Sequence, residues 1–93
     1  MKIDRSTAFD RKAKKFFKKR PELENTFKDF LKVFIQNPFD QKLSTHQINK
    51  KKVKNLYSSS LTSSYRILTI IVIKNDKATL VDIGDHDEVY GKQ

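Results

Sequence analysis

The stretch "DIGDHDEVY" at residues 82–90 sets His86 among Asp82, Asp85, Asp87 and Glu88, just before Tyr90, in a chain whose net charge is +9. Imidazole gains or loses a proton near neutral pH, and neighbouring carboxylates favour its charged form, so His86 has the chemistry of a proton donor to a leaving group. The plainer reading of the same residues is a solvated C-terminal turn. Upstream, Arg66 opens the apolar run "YRILTIIVI". An arginine there is either an edge residue whose head reaches solvent or a guanidinium fork fixed on a rigid element for bidentate phosphate recognition.

Lys50, Lys51, Lys52 and Lys54 form a positive strip, and no acidic residue falls between His46 and Lys74. Such a strip, together with Arg66, could face one nucleic-acid backbone; the alternative is a strand edge kept soluble by lysines. His46 read alone is a surface histidine. Twenty Lys and Arg against eleven Asp and Glu fit a polyanion or an acidic protein as partner, and charge alone does not choose between them.

Other chemistries find little support. With no cysteine there is neither a disulfide framework nor a thiolate nucleophile, and two histidines forty residues apart make no metal-ligand spacing, so neither metal nor other cofactor is expected. A hard-cation site from Asp82, Asp85 and Asp87 stays open as an alternative. Gly84 and Gly91 are the only glycines, too few for a phosphate-cradling loop. Ser58 to Ser60, Ser63 and Ser64 form no nucleophile elbow and read as a turn. The apolar run at 67–73 is far shorter than the roughly 20 residues of a membrane span, and the N-terminus has no apolar signal region, so the expectation is a cytoplasmic protein without membrane contact.

The elements that must position these residues follow from patterning. At 93 residues the chain is expected to be one domain, 1–93, with one core. All seven phenylalanines precede residue 40 and the β-branched run follows residue 66, an α+β distribution. "MKID" predicts a first strand. Phe9, Ala13, Phe16 and Phe17 then mark one helical face, with Ser6 or Thr7 as cap; Leu23, Phe27, Phe30, Leu31 and Phe34 mark a second helix with Pro21 in its first turn. "VKNLYSSSL", "YRILTIIVI" and "ATLVDIG" predict an antiparallel meander, its first two strands joined by a loop at about "SSSLTSS" and its last two by a tight primed turn at Asn75-Asp76. The segment "NPFDQKLSTHQINKKK" is expected to be irregular.

This order of features resembles the RelE/ParE superfamily of bacterial toxins from toxin–antitoxin pairs, in its RelE/YafQ-like messenger-RNA interferase branch. The likeness spans almost the whole chain. It rests on Ser6, Phe9, Arg11, Lys14 and Lys15, on His46 and the basic run into "NLYS", on "YRIL" at 65–68, and most specifically on the closing "DIGDHDEVY". Family members carry glycines in the segment after the first histidine, where this chain has Lys50 and Asn55 at or near those places. The resemblance implies a β-α-α-β-β-β, RelE-like fold: a helical hairpin packed on a twisted antiparallel sheet. It further implies an acidic antitoxin partner in a hetero-oligomer, and metal-independent, ribosome-associated cleavage of mRNA. By position it points to Arg66, His86 and Tyr90 as the active-site set, with His46, Lys50, Lys52 and Lys54 behind them.

Cleavage of RNA without a metal needs a base for the 2′-hydroxyl, positive charge for the phosphorane and an acid for the departing 5′-oxygen. The expectation is His86 as acid, Arg66 on the equatorial oxygens, His46 or a lysine of the 50–54 run at the nucleophile, and Tyr90 stacking on a base or orienting His86; the two histidine roles can be exchanged. A ParE-like poison of DNA gyrase, or a module that binds nucleic acid or antitoxin without catalysis, are the alternatives, since one fold can carry either.

Overall fold

The computed structural model describes residues 1–49 and 53–91. Strand β1 (Lys2–Arg5) leads at once into helix α1 (Thr7–Lys19), whose start is fixed by Ser6: its hydroxyl accepts the Phe9 N–H at 3.0 Å. That satisfies one of the helix's orphan donors. The helix stops at Arg20, because Pro21 follows and disfavours helical backbone before it. Pro21–Leu23 form a 3₁₀ turn, and helix α2 (Glu24–Gln36) runs from there to the "NPFD" break. Pro21 thus sits one short turn ahead of α2 rather than inside it.

Five strands form one mixed sheet in the order β1-β5-β4-β3-β2, with β2 at His46–Gln47, β3 at Leu56–Ser60, β4 at Tyr65–Val72 and β5 at Lys77–Asp85. The meander β3-β4-β5 is antiparallel as expected, but β1 lies parallel to β5, Lys2 across from Lys77 and Arg5 across from Leu80. The wholly antiparallel expectation is therefore corrected. The helical hairpin carries the chain across the sheet, which is what a parallel pairing requires. The irregular segment also gains structure: Asp40 caps a 3₁₀ turn at Gln41–Leu43, Ser44 takes a left-handed φ of 48°, and β2 pairs with β3. The β4–β5 connection is a 3₁₀ turn at Ile73–Asn75 closed by Asp76 at φ 51°, not a two-residue primed turn. After β5 comes a short helix, α3 (His86–Tyr90), where a turn was the plainer expectation.

Each face of the sheet has its own core. Phe9, Phe16, Phe27, Phe30 and Phe34 pack with Ile67, Ile71, Leu80 and Ile83 on the helix side, and Phe30 stacks on Phe34 at 5.4 Å between ring centroids. Leu80 and Ile83 reach this core together only because a bulge interrupts the ladder between the Leu68–Asp82 and Thr69–Leu80 pairs. One extra residue reverses the two-residue alternation. On the opposite face Leu56, Leu68 and Val89 make a smaller core with Ile48, Ile70, Val81 and Tyr90. Burying Val89 completely holds α3 to the sheet, a contribution of about 1.5 kcal/mol. No helix among the described residues is long and apolar enough to cross a membrane.

Candidate active site

Arg66 sits in the middle of the sheet, paired with Ser60 on one side and Gly84 on the other. Its guanidinium turns to the face away from α1 and α2, where Ser58 and Ser60 stand two residues apart on β3. Nε donates to Ser58 Oγ at 2.9 Å and Nη1 to Ser60 Oγ at 2.6 Å, while Nη2 lies 3.5 Å from the Ser44 carbonyl and 3.4 Å from His46 Nδ1. This is a fork fixed on a rigid element. Among the described residues no carboxylate lies within ion-pair distance of it.

His46 lies beside Arg66 because β2 pairs His46 with Ser58. Its Nδ1 is 3.2 Å from the Ser44 carbonyl, closer than to Arg66 Nη2. The carbonyl only accepts and the guanidinium only donates, so a proton on Nδ1 serves the Ser44 contact and leaves the Nε2 lone pair as a base, whereas a bare Nδ1 serves the Arg66 contact.

Helix α3 brings the remaining groups. Asp85 and Glu88 form a reciprocal capping box: Asp85 Oδ1 accepts the Glu88 N–H at 2.8 Å and Glu88 Oε1 accepts the Asp85 N–H at 3.0 Å. This starts the helix at His86 and sets Tyr90 one turn on, the two ring centroids 4.3 Å apart. Tyr90 also donates its phenolic hydrogen to Ser58 Oγ in a short hydrogen bond. The acidic tail therefore has structural tasks: Asp85 and Glu88 cap α3, and Asp82 pairs with Lys12 of α1 at 2.5 Å. Among the described residues no three His, Asp or Glu side chains gather as metal ligands, so the hard-cation alternative finds no support.

These groups share one open cleft of about 440 Å³, lined by His46, Ile48, Asn49, Ser63, Ser64, Arg66, His86 and Tyr90. Four of the sequence-derived candidates are thus brought together. Lys54 is exposed in the turn before β3 and is not among the lining residues, and Lys50, Lys51 and Lys52 lie outside the described residues. Ser58 to Ser60 belong to β3, as the strand expectation for "VKNLYSSSL" has them and the turn reading does not, and Ser58 and Ser59 are fully buried. Their serine-rich composition hid the role of Ser58 and Ser60 as partners of Arg66 and Tyr90. A readable signal was there: an arginine in an apolar strand needs partners, and hydroxyls two residues apart on the neighbouring strand can supply them. Nothing in the sequence marked Asn49. A larger groove of about 600 Å³ between α1 and α2 contains no histidine and no hydroxyl, so size does not locate the chemistry here.

No family model matches the sequence, and no curated protein is similar to it at the level of sequence. Solved structures do match. In the DinJ–YafQ toxin–antitoxin complex of E. coli, the matching chain is 15% identical with a TM-score of 0.76, over 96% of this chain and 96% of that one. A metal-bound toxin from Helicobacter pylori is 22% identical with a TM-score of 0.74, over 97% and 99%. The YoeB dimer from Staphylococcus aureus is 14% identical with a TM-score of 0.72, over 92% and 97%. The chain has the α+β fold of these toxins.

Proposed function

We propose that the protein is the toxin of a toxin–antitoxin pair and acts as a metal-independent endoribonuclease on mRNA at the ribosome. The observation that carries this reading is the convergence of His46, Arg66, His86 and Tyr90 from β2, β4 and α3 on one cleft. A base, a fixed cation and a second imidazole are what 2′-hydroxyl attack on the adjacent phosphate needs.

In the proposed reaction His46 Nε2 takes the 2′-hydroxyl proton as the 2′-oxygen bonds to phosphorus. Arg66 holds the equatorial oxygens, and its fixed fork is aimed before charge develops. The bond from phosphorus to the 5′-oxygen breaks as protonated His86 gives that oxygen its proton, leaving a 2′,3′-cyclic phosphate and a 5′-hydroxyl. Tyr90 orients His86 through their ring contact. Lys50, Lys51, Lys52 and Lys54 follow Asn49 of the cleft in sequence and supply charge along the RNA backbone. The net charge of +9 suits an acidic antitoxin, and the match to the DinJ–YafQ complex supports a hetero-oligomer of this kind; a cytoplasmic location belongs to the proposal and follows from its mRNA substrate.

The test is cleavage of ribosome-bound mRNA that carries a single 2′-deoxy nucleotide at the mapped cut position. Cutting should stop there while neighbouring all-ribose transcripts are still cut to cyclic-phosphate ends; cleavage of the deoxy position would rule this chemistry out. An induced culture that halts DNA replication before protein synthesis would favour the ParE-like alternative.

A further inference from the structure

We infer that Ser58 is a positioning residue, its buried hydroxyl being the common anchor that fixes the Arg66 guanidinium and the Tyr90 phenol, and through Tyr90 the His86 ring, relative to one another. The inference rests on the nuclease reading of the cleft, but its geometry can be tested without it. Ser58 is fully buried at the centre of β3, between His46 on β2 and Leu68 on β4. Its oxygen has two lone pairs. One receives the Arg66 Nε–H at 2.9 Å and the other the Tyr90 O–H, from residues 8 and 32 positions away.

The two halves of the site have separate origins. Arg66 is held by the sheet, whereas His86 and Tyr90 ride on a five-residue helix whose own anchor is Val89. A helix that short has little stability of its own, and its angle to the sheet is set by what it touches. Among the described residues, Ser58 is the only hydrogen-bonding group shared by Arg66 and Tyr90. Leu56, Leu68 and Val89 surround this part of the sheet with apolar surface. There an aliphatic side chain would fill the space at no desolvation cost, but it would leave a guanidinium N–H and a phenol without their partner.

Ser59 provides the matched control. It is also fully buried, but strand alternation points it to the other face, where its Oγ bonds Thr45 Oγ1 at 2.6 Å. Ser58→Ala and Ser59→Ala therefore remove the same atom from equally buried places, only one of which joins the site. Two readouts are compared: single-turnover cleavage of ribosome-bound mRNA, and hydrogen exchange of the Arg66 Nε–H resonance in ¹⁵N-labelled protein. Ser58→Ala should slow cleavage by about 10- to 100-fold, with RNA affinity unchanged within about threefold, and should abolish the protection of Nε–H. Ser59→Ala should change neither. Equal effects of the two substitutions, or an Nε–H that stays protected in Ser58→Ala, would overturn the proposal.

If Ser58→Ala does not fold, Tyr90→Phe carries the test, because it frees α3 while leaving Ser58 bound to Arg66. The rate should fall and the Nε–H remain protected; a wild-type rate would count against Ser58 as the joint. A wild-type protein that cuts no RNA refutes the nuclease reading, and the Nε–H comparison then still decides whether Ser58 positions Arg66.

Discussion

Arg66 stands directly across the β4–β5 ladder from Gly84, and Tyr65 across from Asp85. The ladder therefore ends one residue before α3 begins at His86. An imidazole twenty residues away in sequence is brought into the same cleft as the guanidinium by two rungs of antiparallel pairing and by a turn that the Asp85 and Glu88 side chains cap through the backbone N–H groups.

Gly84 makes the turn possible. A Cβ there would lie 2.9 Å from Glu88 Cβ and 3.1 Å from Glu88 Cδ, and the first of these is too close to the backbone to swing aside. Gly84→Ala should displace α3, lower stability by about 1–3 kcal/mol as overpacking does, and reduce cleavage with it. Urea denaturation and the cleavage assay on the same preparation check both.

Arg66→Lys keeps the charge and removes the fork. Lysine has no Nε–H to give Ser58 while a second nitrogen reaches Ser60, so the cation is no longer held in place. The single-turnover rate should fall by about 10²- to 10³-fold, as on loss of an oriented charge-stabilising donor, while the melting temperature moves little. A rate within threefold of wild type would show that Arg66 acts only as a positive charge.

Much of this arrangement was legible beforehand because the features that encode it are local. The phenylalanine spacings marked α1 and α2, the β-branched runs marked β4 and β5, and His86 after Gly84 marked the end of the last strand. What escaped was set by pairing between distant segments. The parallel partnership of β1 with β5 depends on where the helical hairpin deposits the chain, and no residue in "MKID" carries that information. β2 is only two residues long and exists because Ser58 and Tyr57 offer it a neighbour. The serines of β3 also read as a turn because serine is common in turns; instead Ser58 holds Arg66 and Tyr90, Ser60 holds Arg66, and Ser59 bonds Thr45 on the other face. In α3 the pattern Asp85-x-x-Glu88 was visible as a capping box, but its negative charges drew the reading toward His86.

The edge strand β1 has its own pH dependence. The Lys77 ammonium, hydrogen-bonded to Asp4 at 2.9 Å and joined by the charge of Lys2, holds the Asp4 carboxyl below its ordinary value of 3.8. A carboxyl more acidic in the folded state than in the unfolded one stabilises the fold above about pH 3.8, and that contribution is lost as pH falls through the lower folded value. Asp4→Asn should therefore flatten the acid limb of the stability curve. The difference should shrink in high salt because the pair is exposed; chemical denaturation at a series of pH values measures it.

The lysines are tested by salt. If Lys50, Lys51, Lys52 and Lys54 each meet one phosphate of a single strand, replacing all four by Gln should make the slope of log K against log salt shallower by about 2.8, at 0.7 per contact. Filter binding of the His86→Gln protein to RNA between 50 and 200 mM salt measures this without cleavage. An unchanged slope would remove the strip from the RNA path and leave it for the antitoxin.

His86→Gln separates chemistry from binding. His86 is exposed, and among the described residues it has neither a hydrogen-bond nor an ion-pair partner, only its ring contact with Tyr90, so the substitution should leave the fold and α3 in place. Glutamine can donate a hydrogen bond to the 5′-oxygen but cannot surrender a proton, so the chemical step should slow by about 10²- to 10⁴-fold. RNA affinity should persist, since Arg66 and the lysines supply the charge. The pH profile adds an independent sign: a group that must be protonated gives the rate a falling limb at high pH, and that limb should vanish in His86→Gln while the rising limb owed to the base remains. Loss of affinity in proportion to rate would make His86 a binding residue, and loss of the rising limb instead would exchange its role with that of His46.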